Sequence, residues 1–213
     1  MRLSPTETDI LLVIDVQNDF CRGGALAVPN GDDVVPIINR LQDRFPNVVL
    51  TQDWHPTDHT SFASQHKGKN AFDTVAAAHG AQVLWPDHCV QNTSGADLHP
   101  DLASANAQLI IRKGFRRAVD SYSAFFENDR TTPTGLTGYL RERGIDRVFL
   151  TGLATDVCVR FSAMDARNQG FDTVLILDAC RGLNDDAVSK AVVAMKEAGV
   201  RIMESFAVTG VAA

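Results

Sequence analysis

Five apolar runs punctuate the chain, each closing on or just before a polar or glycine residue. Ile10-Leu11-Leu12-Val13-Ile14 ends at Asp15, and Val48-Val49-Leu50 leads to Asp53. Leu109-Ile110-Ile111 ends at Lys113, Val148-Phe149-Leu150 runs into Thr151-Gly152, and Val174-Leu175-Ile176-Leu177 ends at Asp178. Residues 200–203, broken by Arg201, are a candidate sixth run. The first five do not alternate polar with apolar positions, a pattern that suits strands covered on both faces in a parallel sheet. Between the runs, apolar residues recur every three or four positions. Val34, Ile37, Ile38, Leu41 and Phe45 form one such set, with Asp32 and Asp33 at its start. Leu136 and Leu140 precede Gly144; Val157, Phe161 and Met164 precede Gly170; Val188, Val192 and Met195 precede Gly199. Acidic starts and glycine stops are helix boundary signals. The alternation predicts a three-layer α/β fold, a mostly parallel six-stranded sheet with helices on both faces.

Residues 57–107 break the rhythm. They are polar, rich in histidine, and weakly periodic. A long irregular stretch inside a compact domain tends to carry function. The chain has no internal repeat or linker, and its 213 residues fit one domain. The expectation is a single domain over 1–213 with an irregular, site-bearing insertion at about 57–107.

Composition narrows the partners. Twenty Lys and Arg against 26 Asp and Glu leave a net charge of −6, and no basic run exceeds a pair such as Arg116-Arg117. Nucleic acid and anionic membrane are therefore not expected partners. Cys21, Cys89, Cys158 and Cys180 form no C-x-x-C pair, which reads as free thiols in a reducing compartment. The first nine residues lack the apolar core of a signal peptide, and no apolar run is long enough to span a bilayer. The expected location is the cytoplasm.

In open α/β sheets, ligands sit at the carboxyl ends of the strands. Those ends carry Asp15, Asp53, Lys113 and the loop from Thr151 to Asp156 that precedes Cys158. Cys158 is the candidate nucleophile: a helix start and a neighbouring Lys113 would favour its thiolate. Asp15 could take the thiol proton and return it to a leaving amine, and N–H groups of the same turn could hold an oxyanion. A buried structural cysteine beside a snorkelling lysine and a surface ion pair fits the positions as well. Asp53 and His55, two apart past a strand, can point to one side, with His59 and His88 as further donors. Such a set suits Zn²⁺, Fe²⁺ or Mn²⁺, although scattered loop histidines share the spacing. His66, His79 and His99 read as solvated loop residues. Phe20, Trp85 and Tyr122, the aromatics nearest these motifs, are candidate walls of a pocket for a small planar ligand, or ordinary core.

Six motifs in register carry a resemblance. Asp15-Val16-Gln17-Asn18-Asp19-Phe20, Asp53-Trp54-His55-Pro56, Trp85-Pro86-Asp87-His88-Cys89, Lys113-Gly114, Asp120-Ser121-Tyr122-Ser123-Ala124-Phe125 and Gly152-Leu153-Ala154-Thr155-Asp156-Val157-Cys158-Val159 resemble the nicotinamidase (pyrazinamidase) family of isochorismatase-like cysteine hydrolases. The resemblance implies an amidase that converts nicotinamide to nicotinate and ammonia in NAD salvage. It implies a catalytic triad of Asp15, Lys113 and Cys158. Asp53, His55 and His88 would be metal ligands, with His59 a ligand in some members only. It further implies a cis peptide between Leu153 and Ala154, an oxyanion hole from the Ala154 and Cys158 N–H groups, and pocket walls at Phe20, Trp85 and Tyr122. One divalent transition metal is implied, Zn²⁺ ahead of Fe²⁺ or Mn²⁺. Pyrazinamide is a second expected substrate, and homo-oligomerisation stays open.

Two rival readings remain at this level. Hydrolases of the same fold that act on isochorismate, ureidoacrylate or N-carbamoyl compounds lack the Asp53-x-His55…His88 set. A metal-binding or redox-sensing protein without catalysis would use Cys158 as a sensor thiol. Dinucleotide binding is excluded, because no glycine-rich turn follows the first strand.

Overall fold

The computed structural model describes residues 3–210; Met1, Arg2 and residues 211–213 of the expected domain lie outside the described residues. The elements run β1 (Asp9–Ile14), α1 (Val34–Gln42), β2 (Asn47–Asp53), β3 (Thr74–Ala77), β4 (Gly80–Val83), β5 (Leu109–Lys113), α2 (Leu136–Glu142) and β6 (Arg147–Leu153). They continue with α3 (Arg160–Asn168), β7 (Asp172–Arg181), α4 (Asp185–Glu197), β8 (Arg201–Met203) and α5 (Phe206–Thr209). Six strands form one sheet in the order β5-β2-β1-β6-β7-β8, and each pairing in it is parallel. The chain winds outward from β1 to β5, then returns to β6 beside β1 and winds the other way. The reversal between β1 and β6 is where such sheets open a crevice.

Alternate residues of each apolar run feed opposite layers, because successive strand side chains point to opposite faces. Leu11, Val13, Leu50, Phe149, Val174 and Ile176 pack with Val34, Ile38 and Leu41 of α1. Ile10, Leu12, Ile14, Val49, Leu150 and Leu175 pack with Leu140, Ala163, Ala166, Ala191 and Met195 of α2, α3 and α4. Each buried branched side chain contributes roughly 1.5–3 kcal/mol. Two such layers hold the sheet without cross-links, and all four cysteines are free.

The uniform-burial expectation fails at the sheet edge. β5 pairs only with β2, its residues alternate in exposure, and Ile110 is 45% exposed. The insertion is not wholly irregular either. β3 and β4 form an antiparallel hairpin of four-residue strands, too short and too poor in large apolar side chains to leave a periodic signal.

Candidate active site

Asp15 follows β1 directly with φ 48°, in the left-handed region that Asp tolerates better than most residues. Thr51 of β2 clamps it. Thr51 Oγ1 donates to Asp15 Oδ1 at 2.5 Å and accepts from the Asp15 N–H at 3.1 Å. Lys113, the last residue of β5, is fully buried. Its Nζ lies 2.8 Å from Asp15 Oδ2, 2.5 Å from Asp53 Oδ1, 2.9 Å from Ser121 O and 3.6 Å from Cys158 Sγ. Burial opposes the ammonium charge, but Asp15 and Asp53 outweigh it and push Lys113 well above its ordinary pKa. The three residues read from the strand ends thus share one buried cluster.

Cys158 lies in a single π-helical turn, Thr155–Val159, that feeds α3. Burial pushes its thiol well above the ordinary range; Lys113 opposes this, while Asp15 and Asp53 reinforce it. Burial and the two carboxylates thus oppose the thiolate that the shared Lys113 ammonium favours. Burial also raises Asp15, to about 6, against the pull of Lys113. Above that pH Asp15 is a carboxylate near a thiol, the protonation pattern a general base needs. The peptide bond between Leu153 and Ala154 is cis. Before it, Gly152 adopts φ 108°, and a Cβ there would lie 2.1 Å from the Ile14 carbonyl oxygen, so the close approach of β6 to β1 requires glycine. Ala154 and Cys158 both line the cleft described below.

Asp53, the last residue of β2, is held through its backbone by Gln17. Gln17 Nε2 donates to the Asp53 carbonyl at 2.9 Å, and Gln17 Oε1 accepts from the Asp53 N–H at 2.8 Å. Asp53 Oδ2 faces His55 Nε2 at 3.7 Å and His88 Nε2 at 3.9 Å. His55 Nδ1 sits 2.8 Å from the Gly114 carbonyl and His88 Nδ1 2.7 Å from the Pro86 carbonyl. Carbonyls only accept, so both rings carry a proton on Nδ1, which leaves Nε2 as the atom turned toward Asp53. Gly114, at φ 64°, leaves room for this: a Cβ would fall 2.4 Å from the His55 ring.

The charges agree with that arrangement. Burial works against the Asp53 carboxylate, yet Lys113, His55 and His88 hold its pKa well below the ordinary range. Burial, with His55 beside it, lowers His88 to about 4, which leaves a neutral nitrogen donor. Burial also works against a charged His55, but Asp53 draws it toward protonation. The gap between Asp53 and His55 therefore favours a cation. Ligands about 2.0–2.2 Å from one ion lie roughly 3–4 Å apart, so this oxygen and two nitrogens fit a divalent transition metal. His59 is placed differently. Its Nδ1 lies 2.7 Å from Ser61 Oγ and its Nε2 3.3 Å from the Val119 carbonyl, and it clusters with His55 and Asp120.

Above these groups opens a cleft lined by Phe20, Trp85 and Tyr122 together with Asp53, His55, His88, Ala154 and Cys158. An aromatic lining with a few convergent polar groups suits a small planar ligand. Tyr122 Oη accepts from Trp85 Nε1 at 3.1 Å and from Gln82 Nε2 at 2.9 Å, which locks the two rings edge to face at 6.0 Å. Phe20 packs edge-on to the His88 ring at 5.4 Å.

Sequence reasoning missed several participants. Gln17 and Asp120 stand inside quoted motifs, but neither lies at the end of an apolar run, the signal that marked the other site residues. Gln82, on β4, is marked by nothing in the sequence. Leu26, Val28, Val157 and Leu183 complete the apolar lining. Among the described residues no helix is long and apolar enough to cross a membrane.

Comparison with known proteins agrees with this geometry. The isochorismatase domain family matches residues 9–206. A nicotinamidase of Acinetobacter baylyi is 54% identical over 184 residues, covering 86% of this chain and 86% of the relative. Among solved structures, a nicotinamidase pyrazinamidase of Acinetobacter baumanii matches with a TM-score of 0.92 at 53% identity, over 94% of this chain and 97% of that one. The pyrazinamidase of Pyrococcus horikoshii in complex with zinc matches with a TM-score of 0.76 at 36% identity, over 92% and 99%. With its parallel sheet, its buried Asp–Lys–Cys cluster and these likenesses, the chain belongs to the nicotinamidase/pyrazinamidase branch of the isochorismatase domain family.

Proposed function

We propose that this chain hydrolyses nicotinamide to nicotinate and ammonia, with pyrazinamide as a second substrate, through a thioester on Cys158. The observation that carries this reading is Lys113 Nζ in contact with Asp15, Asp53 and Cys158 at once, beneath an aromatic cleft. The names of the relatives point to the same substrates.

Phe20, Trp85 and Tyr122 hold the ring of the substrate, which turns an encounter into an oriented reaction. Cys158 Sγ attacks the carboxamide carbon as Asp15 takes the thiol proton. The N–H groups of Ala154 and Cys158 receive the oxyanion. The C–N bond then breaks, Asp15 returns the proton to the departing nitrogen as ammonia forms, and the nicotinoyl thioester remains. A water gives a proton to Asp15 and adds to the thioester, and nicotinate leaves as Cys158 recovers its proton. Lys113 keeps its charge throughout, orienting Asp15 and offsetting the developing thiolate.

Asp53, His55 and His88 would hold one divalent cation, Zn²⁺ ahead of Fe²⁺ or Mn²⁺, with His59 in the surrounding shell. When bound, the ion supplies an electron-pair acceptor for the ring nitrogen of the substrate. The reaction belongs to NAD salvage in the cytoplasm. The Asp53, His55 and His88 set weighs against the same-fold hydrolases of isochorismate, ureidoacrylate or N-carbamoyl compounds.

The test is ammonia release from nicotinamide with and without chelator, alongside elemental analysis. Release that stops on chelation and in Cys158→Ala supports the reading. An inactive, metal-free preparation from native expression refutes it.

A further inference from the structure

We propose that Cys21, Asp32 and His99 form a second divalent-metal site, suited to Zn²⁺, on the outer side of the segment that walls the substrate cleft. The three residues lie on separate pieces of chain. Cys21 closes the 3₁₀ turn Asn18–Phe20, Asp32 lies in the 3₁₀ turn Gly31–Asp33, and His99 lies in the insertion. From sequence His99 reads as a solvated loop residue. The fold instead brings one ligand atom from each of the three within 4.8 Å of the others. Neither the Asp–Lys–Cys cluster nor the Asp53 set uses any of them.

The local geometry is that of a built site with an open side. Asp32 Oδ1 lies 3.5 Å from His99 Nε2, the separation expected of two ligands on one tetrahedral ion. The Arg22 N–H donates to Asp32 Oδ2 at 2.9 Å, which fixes the carboxylate and leaves Oδ1 facing His99. Cys21 is a free thiol, 3% exposed, whereas Asp32 and His99 are half-buried and reach the solvent. All three line an open surface cleft, where water can complete the coordination. Asp19 and Asp32 against Arg22 leave that cleft net negative.

Donor chemistry selects the ion. A thiolate, an imidazole and a carboxylate with one open position suit Zn²⁺ and disfavour Mg²⁺ or Ca²⁺, which prefer oxygen alone. Burial and Asp32 push the Cys21 thiol up to about 12, so it stays protonated until a cation replaces the proton. On binding, the S–H proton goes to solvent as the sulfur–metal bond forms. The His99 proton moves from Nε2 to Nδ1 at the loss of the 3.2 Å contact from the Asp101 N–H. No electron is transferred.

Occupancy would be felt in the cleft. Cys21 adjoins Phe20, and the segment between Cys21 and Asp32 carries Leu26 and Val28; all three apolar residues line the cleft. An ion that pins both ends of this segment changes how its walls close on a ligand. That consequence rests on the proposed nicotinamide reading, whereas the metal site does not.

The experiment titrates the holoenzyme, already carrying one equivalent, with Zn²⁺ alone and with Co²⁺ alone. A second equivalent is expected to bind with release of one proton. With Co²⁺ a thiolate-to-metal charge-transfer band should appear, and it should persist in Cys158→Ala. Cys21→Ser and the surface variant His99→Gln should each weaken the second equivalent at least about tenfold, and Cys21→Ser should remove the band. Saturation at one equivalent, or a second equivalent that either variant retains at wild-type affinity, overturns the site. With the site present, a nicotinamide KM that is the same at one and two equivalents overturns the coupling to the cleft.

Discussion

Lys113 Nζ lies 2.5 Å from Asp53 Oδ1, so a single carboxylate joins the two halves of the site. Its other oxygen faces His55 and His88. Charge altered in the Asp53, His55 and His88 set is therefore felt by Lys113, and through it by Asp15 and Cys158. Asp53→Ala consequently perturbs metal binding and the nucleophile's surroundings together, and His88→Ala is the cleaner probe of the metal.

His88→Ala should lose bound metal and raise the nicotinamide KM by roughly 10–100-fold, with a smaller fall in kcat. Elemental analysis and steady-state kinetics check this. A metal-depleted variant with an unchanged KM would show that the ion does not position the substrate.

Cys158→Ala should lower ammonia release by at least about 10⁴-fold, since removing a nucleophile disables the cluster that activates it. The fold and the metal content should survive. Mass spectrometry of acid-quenched wild-type enzyme during turnover should find a nicotinoyl adduct on Cys158, absent from the variant; an unmodified wild-type chain with full turnover counts against the thioester.

The pH profile follows from Asp15. Burial places its carboxyl at about 6, and only the ionised form can accept the Cys158 proton. kcat/KM should therefore rise with pH through about 6 and level off above it, and Asp15→Asn should remove the activity altogether. A profile flat across that range would take the role of base away from Asp15.

Stability against acid should depend on Asp9 at the start of β1. Both of its oxygens accept from Arg147, each at 2.7 Å. Burial disfavours the charge, but Arg147 and Thr6 outweigh it and hold the carboxyl below its ordinary value. The unfolded chain thus takes up protons first as pH falls. The stabilisation is complete above the ordinary carboxylate value and is lost as pH drops through the lower folded value. Asp9→Asn should cost about 1–2 kcal/mol at neutral pH. Urea melts should show that difference shrinking in acid; a constant difference would contradict the assignment.

Gln17→Ala should act at a distance from the chemistry. It leaves the N–H and C=O of Asp53 unpaired in a buried setting, at about 1–3 kcal/mol for each orphaned group. The expected result is a lower Tm together with weaker metal binding, about tenfold or more. A lower Tm with unchanged metal affinity would make Gln17 purely structural.

Local pattern alone determined the six strands of the sheet. A run such as Ile10 to Ile14, apolar at every position, can be satisfied only by cover on both faces, and the two packed layers provide it. Strand ends share an edge in a parallel sheet, so Asp15, Asp53, Lys113 and Cys158 were legible as neighbours before any geometry. Spacing past a strand made His55, His59 and His88 candidate donors, and the family motifs singled out His55 and His88. Tertiary structure decided what depends on distant partners. Gln17 meets Asp53 across 36 positions and Gln82 meets Tyr122 across 40, separations at which no local period survives. The grouping of Cys21 with Asp32 and His99 is of the same kind. The protonation of Cys158 belongs here too. A helix start and a lysine argue for a thiolate, but desolvation scales with how completely the folded chain removes water, and that quantity exists only once every layer is in place.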